Sequence, residues 1–238
     1  MAEDGERPKK VRRLASSKPK LGHMVTVCVG TGSKARDFFV YEGLLCQHSD
    51  FFKAALTGGR WQESIQRKVS LPEDEPETFE DFQCFLLAGR TFFEDAAQRK
   101  VLDGISRDDE YRAIANAWTL ADKLQSCSYK DATTDTLALK VVANNRYPTG
   151  MQYMLAKGNS ASAGFARFIV DTAVRTWSAE EFEKLDVEAR PIAIVQKLLK
   201  GLAEVEGRTM QENPWLKEDC HYHDHGEEKP CYKTMFTY

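Results

Sequence analysis

Phe39-Val40-Tyr41-Glu42-Gly43-Leu44-Leu45-Cys46-Gln47-His48-Ser49-Asp50-Phe51-Phe52 decides how this chain folds, because it passes from a strand pattern through a short helix to a capped helix. Phe38 and Val40 alternate with Phe39 and Tyr41, which predicts a strand over residues 36–41 buried on both sides. Leu44, Leu45 and Gln47 then fit a short helix. Ser49 stands where an N-cap belongs, since its hydroxyl can accept from first-turn amides, and Asp50 meets the positive end of a helix running to Leu56.

The pattern extends in both directions from this stretch. Upstream, Val25, Val27 and Val29 alternate with Thr26 and Cys28, and Gly30-Thr31-Gly32-Ser33 supplies a turn, so residues 23–41 read as a hairpin. Downstream, Gly58-Gly59 stops the capped helix and a brief strand is expected over residues 68–71. Pro76 opens a helix with Phe79, Phe82 and Leu86 on one side and Gly89 at its end. Residues 94–110 are charged and irregular and read as a loop. The helix expected over 110–125 carries Ile114, Ala117, Trp118, Ala121 and Leu124 as one stripe.

Taken in order, the strand at 25–30, Phe39-Val40-Tyr41, Leu44-Leu45-Cys46, Ser49-Asp50-Phe51-Phe52, Leu71-Pro72-Glu73-Asp74, Phe79 and residues 118–124 resemble the BTB/POZ family. The likeness covers about residues 23–128, and the whole chain looks most like the short BTB proteins of fungi with a helical C-terminal extension. Two positions depart from the family pattern. Tyr41-Glu42 stand where members usually carry His-Lys, and His23-Met24 stand where many carry an Asp. The resemblance implies an α+β fold, a small sheet flanked by helices, that binds other proteins and frequently self-associates through its first helix and strand. A homodimer is therefore expected, with a monomer as the alternative. It also implies that Trp61-Gln62-Glu63 matches the hydrophobic-x-Glu pattern by which BTB adaptors engage a cullin scaffold of ubiquitin ligases, Trp61 filling an apolar pocket and Glu63 satisfying a donor at its rim. The alternative is that Trp61 packs on its own domain and Glu63 is solvated.

Residues 129–209 read as a helical extension. Leu137, Val141 and Val142 mark one helix, Pro148 and Gly150 punctuate it, and a second is expected over about 161–177 with Phe165, Phe168, Ile169, Thr172 and Trp177 mostly on one face. Ser178-Ala179-Glu180-Glu181 is a capping-box match, and a last helix carries Ile192, Val195, Leu198, Leu199 and Leu202. Each stripe is expected to be core, because an amphipathic helix must bury its apolar side.

Both ends of the chain differ from this body. Residues 1–22 lack apolar periodicity and should be disordered. Within them Lys9, Lys10, Arg12 and Arg13 resemble a nuclear-import signal or form a solvated basic tail. In the tail at 210–238, Cys220, His221, His223, His225 and Cys231 gather five candidate ligands. Cys220, His223, His225 and Cys231 form C-x2-H-x-H-x5-C, compact enough to close around one structural zinc ion, with His221 as the spare candidate. The competing reading is a solvated polar tail.

Composition narrows the function. With 238 residues, 42% hydrophobic, the chain can build a real core, while a formal net charge of −3 with mixed signs gives no field to capture nucleic acid or anionic lipid. No apolar run reaches the roughly 20 residues of a membrane span, and the N-terminus opens polar, so a protein of nucleus or cytoplasm is expected. Cys28, Cys46, Cys84 and Cys127 sit singly among apolar neighbours, as reduced buried thiols do. No phosphate-binding glycine loop, nucleophile elbow or His-Glu-x-x-His helix is present, so no enzyme is expected. The expectation is an interaction adaptor that recruits a client protein to a cullin ligase, the alternative a self-associating nuclear scaffold in transcriptional regulation.

Overall fold

Alternating valines organise the sheet. Strand β1 (Met24–Val29) buries Val25, Val27 and Val29 completely on one face. It pairs antiparallel with β2 (Arg36–Tyr41), where Val25 faces Val40 and Val27 faces Phe38, and parallel with β3 (Lys68–Leu71), where Val27 faces Val69 and Val29 faces Leu71. The order β2-β1-β3 places the most apolar strand in the middle. The computed structural model describes residues 20–57, 62–93, 107–144, 164–183, 192–205, 220–225 and 229–236. The fold is α+β, a small mixed sheet flanked by helices.

Only one face of β2 is covered, which corrects the reading of a strand buried on both sides. Phe38 and Val40 enter the core, whereas Phe39 is 59% exposed. Tyr41 also emerges on the outer face. The helices pack on the face carrying the three valines, so alternating apolar residues on an edge strand signal an uncovered outer face here rather than a second buried layer.

The helices against that face begin and end as their sequences direct. Helices α1 (Glu42–His48) and α2 (Asp50–Leu56) are separated by Ser49, whose Oγ accepts from the Phe52 amide at 3.1 Å and donates to the Leu124 carbonyl at 2.6 Å. The cap thus ties α2 to the end of a helix far along the chain. After α3 (Gln62–Gln66), α4 (Pro76–Ala88) starts with Pro at its first position and stops at Gly89, whose φ of 66° is cheap only for glycine. Phe52, Phe79, Phe82 and Phe85 are fully buried, Phe79 meeting Phe38 at 5.0 Å between ring centroids and Phe85 meeting Tyr129 at 4.9 Å.

Two long helices then join this core to a second one. Helix α5 (Arg107–Lys123) begins inside the segment expected to be loop, and its stripe divides: Ala117 and Ala121, with Leu124 beyond it, face the sheet-side core, while Tyr111, Ile114 and Trp118 face the other. Helix α6 (Cys127–Asn144) divides the same way, Tyr129 and Ala132 on one side, Leu137 and Val141 on the other. It runs unbroken across the boundary expected at 128/129. Helix α7 (Gly164–Thr176) completes the second core with Phe165, Phe168, Ile169 and Ala173. Helix α8 (Ala179–Glu183) follows Ser178, and α9 (Ile192–Val205) packs on α7 through Leu198. Val142, Leu199 and Leu202, expected as core, are exposed; for Leu199 and Leu202 the packing of α9 on α7 buries Leu198 and leaves the rest of the stripe outside. Residues 1–19, with Lys9, Lys10, Arg12 and Arg13, lie outside the described residues, as do Gly58, Gly59, Trp61, Pro148 and Gly150.

His48 closes α1 in the sheet-side core, its Nδ1 3.1 Å from Ser128 Oγ. Burial pushes its pKa down from 6.5 to about 4. The unfolded chain then takes up a proton that the folded chain refuses between those values, so this group leaves stability unaffected above 6.5 and removes it as pH falls toward 4. The loss from this one residue is of the order of 3 kcal/mol. Urea unfolding in chelator at pH 7 and near pH 4.5 is expected to show a smaller difference in His48→Gln than in wild type. An equal difference would contradict the assignment.

Candidate metal centre

The tail reaches the body of the protein by crossing two close approaches. Gly164, the first residue of α7, sits so tightly against residue 222 that an added Cβ would lie 1.6 Å from the Tyr222 carbonyl oxygen. Only glycine allows the tail to pass there. The Gly164 amide donates to Asp224 Oδ1 at 2.6 Å, and Arg167 Nη2 donates to the carbonyls of His221 and His223 at 3.2 and 3.0 Å. The Tyr222 hydroxyl donates to Asp171 at 2.8 Å, and its ring meets Phe168 edge-on at 5.3 Å. Tyr222 and His223 are both buried. A solvated tail is therefore not what these residues form.

The first approach is on the second core, the second on the sheet-side core. Residues 229–236 run past α2, α4 and α6 with Lys229 Nζ 3.2 Å from Asp50 and Tyr232 and Phe236 against Phe85. Cys231 begins the one-turn helix α10 (Tyr232–Met235).

Between these anchors, Cys220, His223, His225 and Cys231 bring their ligand atoms within 4.8 Å of one another. These are the four residues singled out from the sequence, and they can hold a metal ion. His223 donates 3.0 Å to Cys220 through its backbone amide, which folds the first ligand back on the second. The fifth candidate, His221, turns away toward Asp171, with Nε2 3.8 Å from its carboxylate. Cys220 is exposed, His223 buried, and His225 and Cys231 half-buried, so the group lies at the surface with one wall in the protein.

That wall is α6, and it supplies two carboxylates that sequence reading missed. Asp135 Oδ1 lies 3.0 Å from His223 Nε2, while His223 Nδ1 lies 3.5 Å from Cys231 Sγ. One ring nitrogen is thus engaged by a carboxylate and the other faces the thiol, the arrangement that fixes a metal-binding histidine. Asp135 Oδ2 also accepts from the Tyr232 hydroxyl at 2.7 Å and pairs with Lys233 at 2.7 Å. Burial alone would raise the Asp135 pKa, but the donors His223, Lys233 and Tyr232 overcome it and hold it down at about 2.

Asp131, one turn earlier, accepts from the Asp224 amide at 2.6 Å through Oδ1, while its buried Oδ2 has no hydrogen-bond partner among the described residues. Burial raises its pKa to about 6. Burial also pushes the Cys231 thiol up to about 11, with Cys220 beside it acting in the same direction. A thiol held neutral in this way becomes a ligand only when a cation takes the place of its proton. The sequence signal for this pair is only their spacing: Asp131 and Asp135 are four residues apart and so share one helix face, but the polar residues around them, Lys130, Thr133, Thr134 and Thr136, give no sign that the face is buried.

Glu63, the other described candidate, lies half-buried in the first turn of α3, and its proposed companion Trp61 lies outside the described residues. No protein-family model matches the chain, and no curated protein matches it.

Asp135→Asn keeps the shape and removes the charge that engages His223. Divalent-metal affinity, measured by competition with a chromophoric chelator, is expected to fall 10–100-fold. Affinity equal to wild type would show that Asp135 does not orient the ligand.

Proposed function

We propose that this protein is an interaction adaptor built on a BTB/POZ-type domain over residues 23–128, with its C-terminal tail clasped to the body by one structural zinc ion. The observation that carries the adaptor reading is the uncovered outer face of the sheet. Met24 pairs with Tyr41 and Thr26 with Phe39 across β1 and β2, so Met24, Phe39 and Tyr41 make a contiguous exposed apolar patch. Such a patch on a sheet edge is a protein-binding feature, since water is a poor neighbour for it. The family resemblance supports the same conclusion, and with it self-association through the first helix and strand.

The donor set favours zinc. Two sulfurs and two imidazoles suit it, and bond lengths of about 2.3 Å to sulfur and about 2.0–2.1 Å to nitrogen set a tetrahedral sulfur–nitrogen edge of about 3.6 Å. The distance of 3.5 Å between Cys231 Sγ and His223 Nδ1 matches that edge. Four protein ligands complete the shell, which makes the role structural rather than catalytic.

The adaptor reading assigns the contact with a cullin scaffold to Trp61 and Glu63 and recruitment of the client to other surfaces. Full-length protein purified from cells is expected to carry a cullin that is reduced at least tenfold by Trp61→Ala combined with Glu63→Ala, quantified by mass spectrometry. Undiminished cullin in the variant would reject this use of the two residues.

A further inference from the structure

Residues 229–236 fill a groove whose floor is far better buried than its occupant. Phe236 stacks on His48, with centroids 4.9 Å apart and planes inclined by 14°, and meets Phe85 at 5.4 Å in an edge contact. His48 and Phe85 are 5% and 0% exposed, whereas no residue of α10 is buried and Phe236 remains half-exposed. Gly89 forms the wall beside the ring: a Cβ there would lie 2.1 Å from Phe236. The space is therefore shaped for one aromatic ring. A second ring, Tyr232, lies 6.4 Å from Phe85 and reaches Asp135 with its hydroxyl.

Charge completes the fit. Asp50 at one end pairs with Lys229 and Asp135 in the middle pairs with Lys233, so the groove presents carboxylates to a basic, aromatic strip. The occupant is held by one stacked and one edge-on ring contact, by the Tyr232 hydroxyl on Asp135, and by two ion pairs whose lysines are about half exposed, of which the fully surface pair Lys229–Asp50 contributes about 0–1 kcal/mol. Its advantage is covalent attachment, which gives a tethered segment an effective concentration of the order of millimolar.

We propose that this groove is a docking site for a partner protein's segment of the same chemistry, two aromatic side chains four residues apart with a lysine or arginine beside the first, and that residues 229–236 occupy it in cis until such a segment displaces them. A competitor in place lowers the apparent affinity of the partner by the fraction of time the groove is closed. Cys231 lies inside the occupying segment, so zinc bound at the tail holds the groove closed; this coupling rests on the zinc reading above, whereas the groove's preference for the segment does not.

The test uses full-length protein and a fluorescent synthetic peptide of residues 229–236 carrying Cys231→Ser, with binding followed by anisotropy. Full-length Tyr232→Ala/Phe236→Ala is expected to bind the peptide at least tenfold more tightly than wild type, and chelation is expected to tighten binding to wild type. A peptide that also carries Tyr232→Ala and Phe236→Ala is expected not to bind. Tight binding to the variant with no effect of chelator on wild type would uphold the groove and remove only the zinc coupling. Equal binding to variant and wild type, with no gain on chelation, would overturn the proposal, as would binding of the aromatic-free peptide. Chelated wild type that ignores the peptide and forms dimers by light scattering would identify a second copy as the occupant and overturn it equally.

Discussion

The Asp135 carboxylate is the interaction on which the arrangement of the C-terminal half depends. It is half-buried on α6 and accepts from three groups of the tail, the imidazole of His223, the hydroxyl of Tyr232 and the ammonium of Lys233. A carboxylate taken out of water is costly unless its oxygens are satisfied, and these donors satisfy both. Asp131, one turn earlier, accepts from the Asp224 amide through Oδ1 alone. The tail is thus folded by acids that a helix interior would otherwise not tolerate.

Helix α6 can perform this role because it belongs to both cores. Tyr129 and Ala132 fix its first half against the sheet side and Leu137 and Val141 fix its second half against α5 and α7, with Asp131 in the first half and Asp135 between the two. The ligand residues of the tail are placed by the same helix that joins the cores. Gly164 and Gly89 are the complementary constraints, each removing a Cβ where a backbone or ring of the tail must pass. Sheet, helical body and tail are consequently one mechanical unit through α6 rather than a domain with a free appendage.

Much of the fold was legible because its signals are local. Alternating valines, the Ser49 cap, Pro76 at a helix start and Gly89 at its end each act within a few residues, and the structure places those elements accordingly. What was misread depends on distant neighbours. Phe39 and Tyr41 alternate like buried residues but lie on an edge strand with no layer of described residues outside them, and Leu199 and Leu202 continue a stripe that α7 does not cover. The stripe of α5 looked single because Ile114 and Trp118 lie only a small angle around the helix from Ala117 and Ala121, yet the two pairs enter different cores.

The four ligand residues of the tail were legible as a group because cysteine and histidine rarely gather in a polar tail without cause, whereas Asp131 and Asp135 were not, since nothing near them in sequence announces a partner about 90 residues away. X-ray absorption at the zinc edge, on full-length protein loaded with one equivalent, tests the account most directly. Two sulfurs at about 2.3 Å and two nitrogens at about 2.0–2.1 Å are the expected shell. A shell of oxygen and nitrogen without sulfur would contradict it.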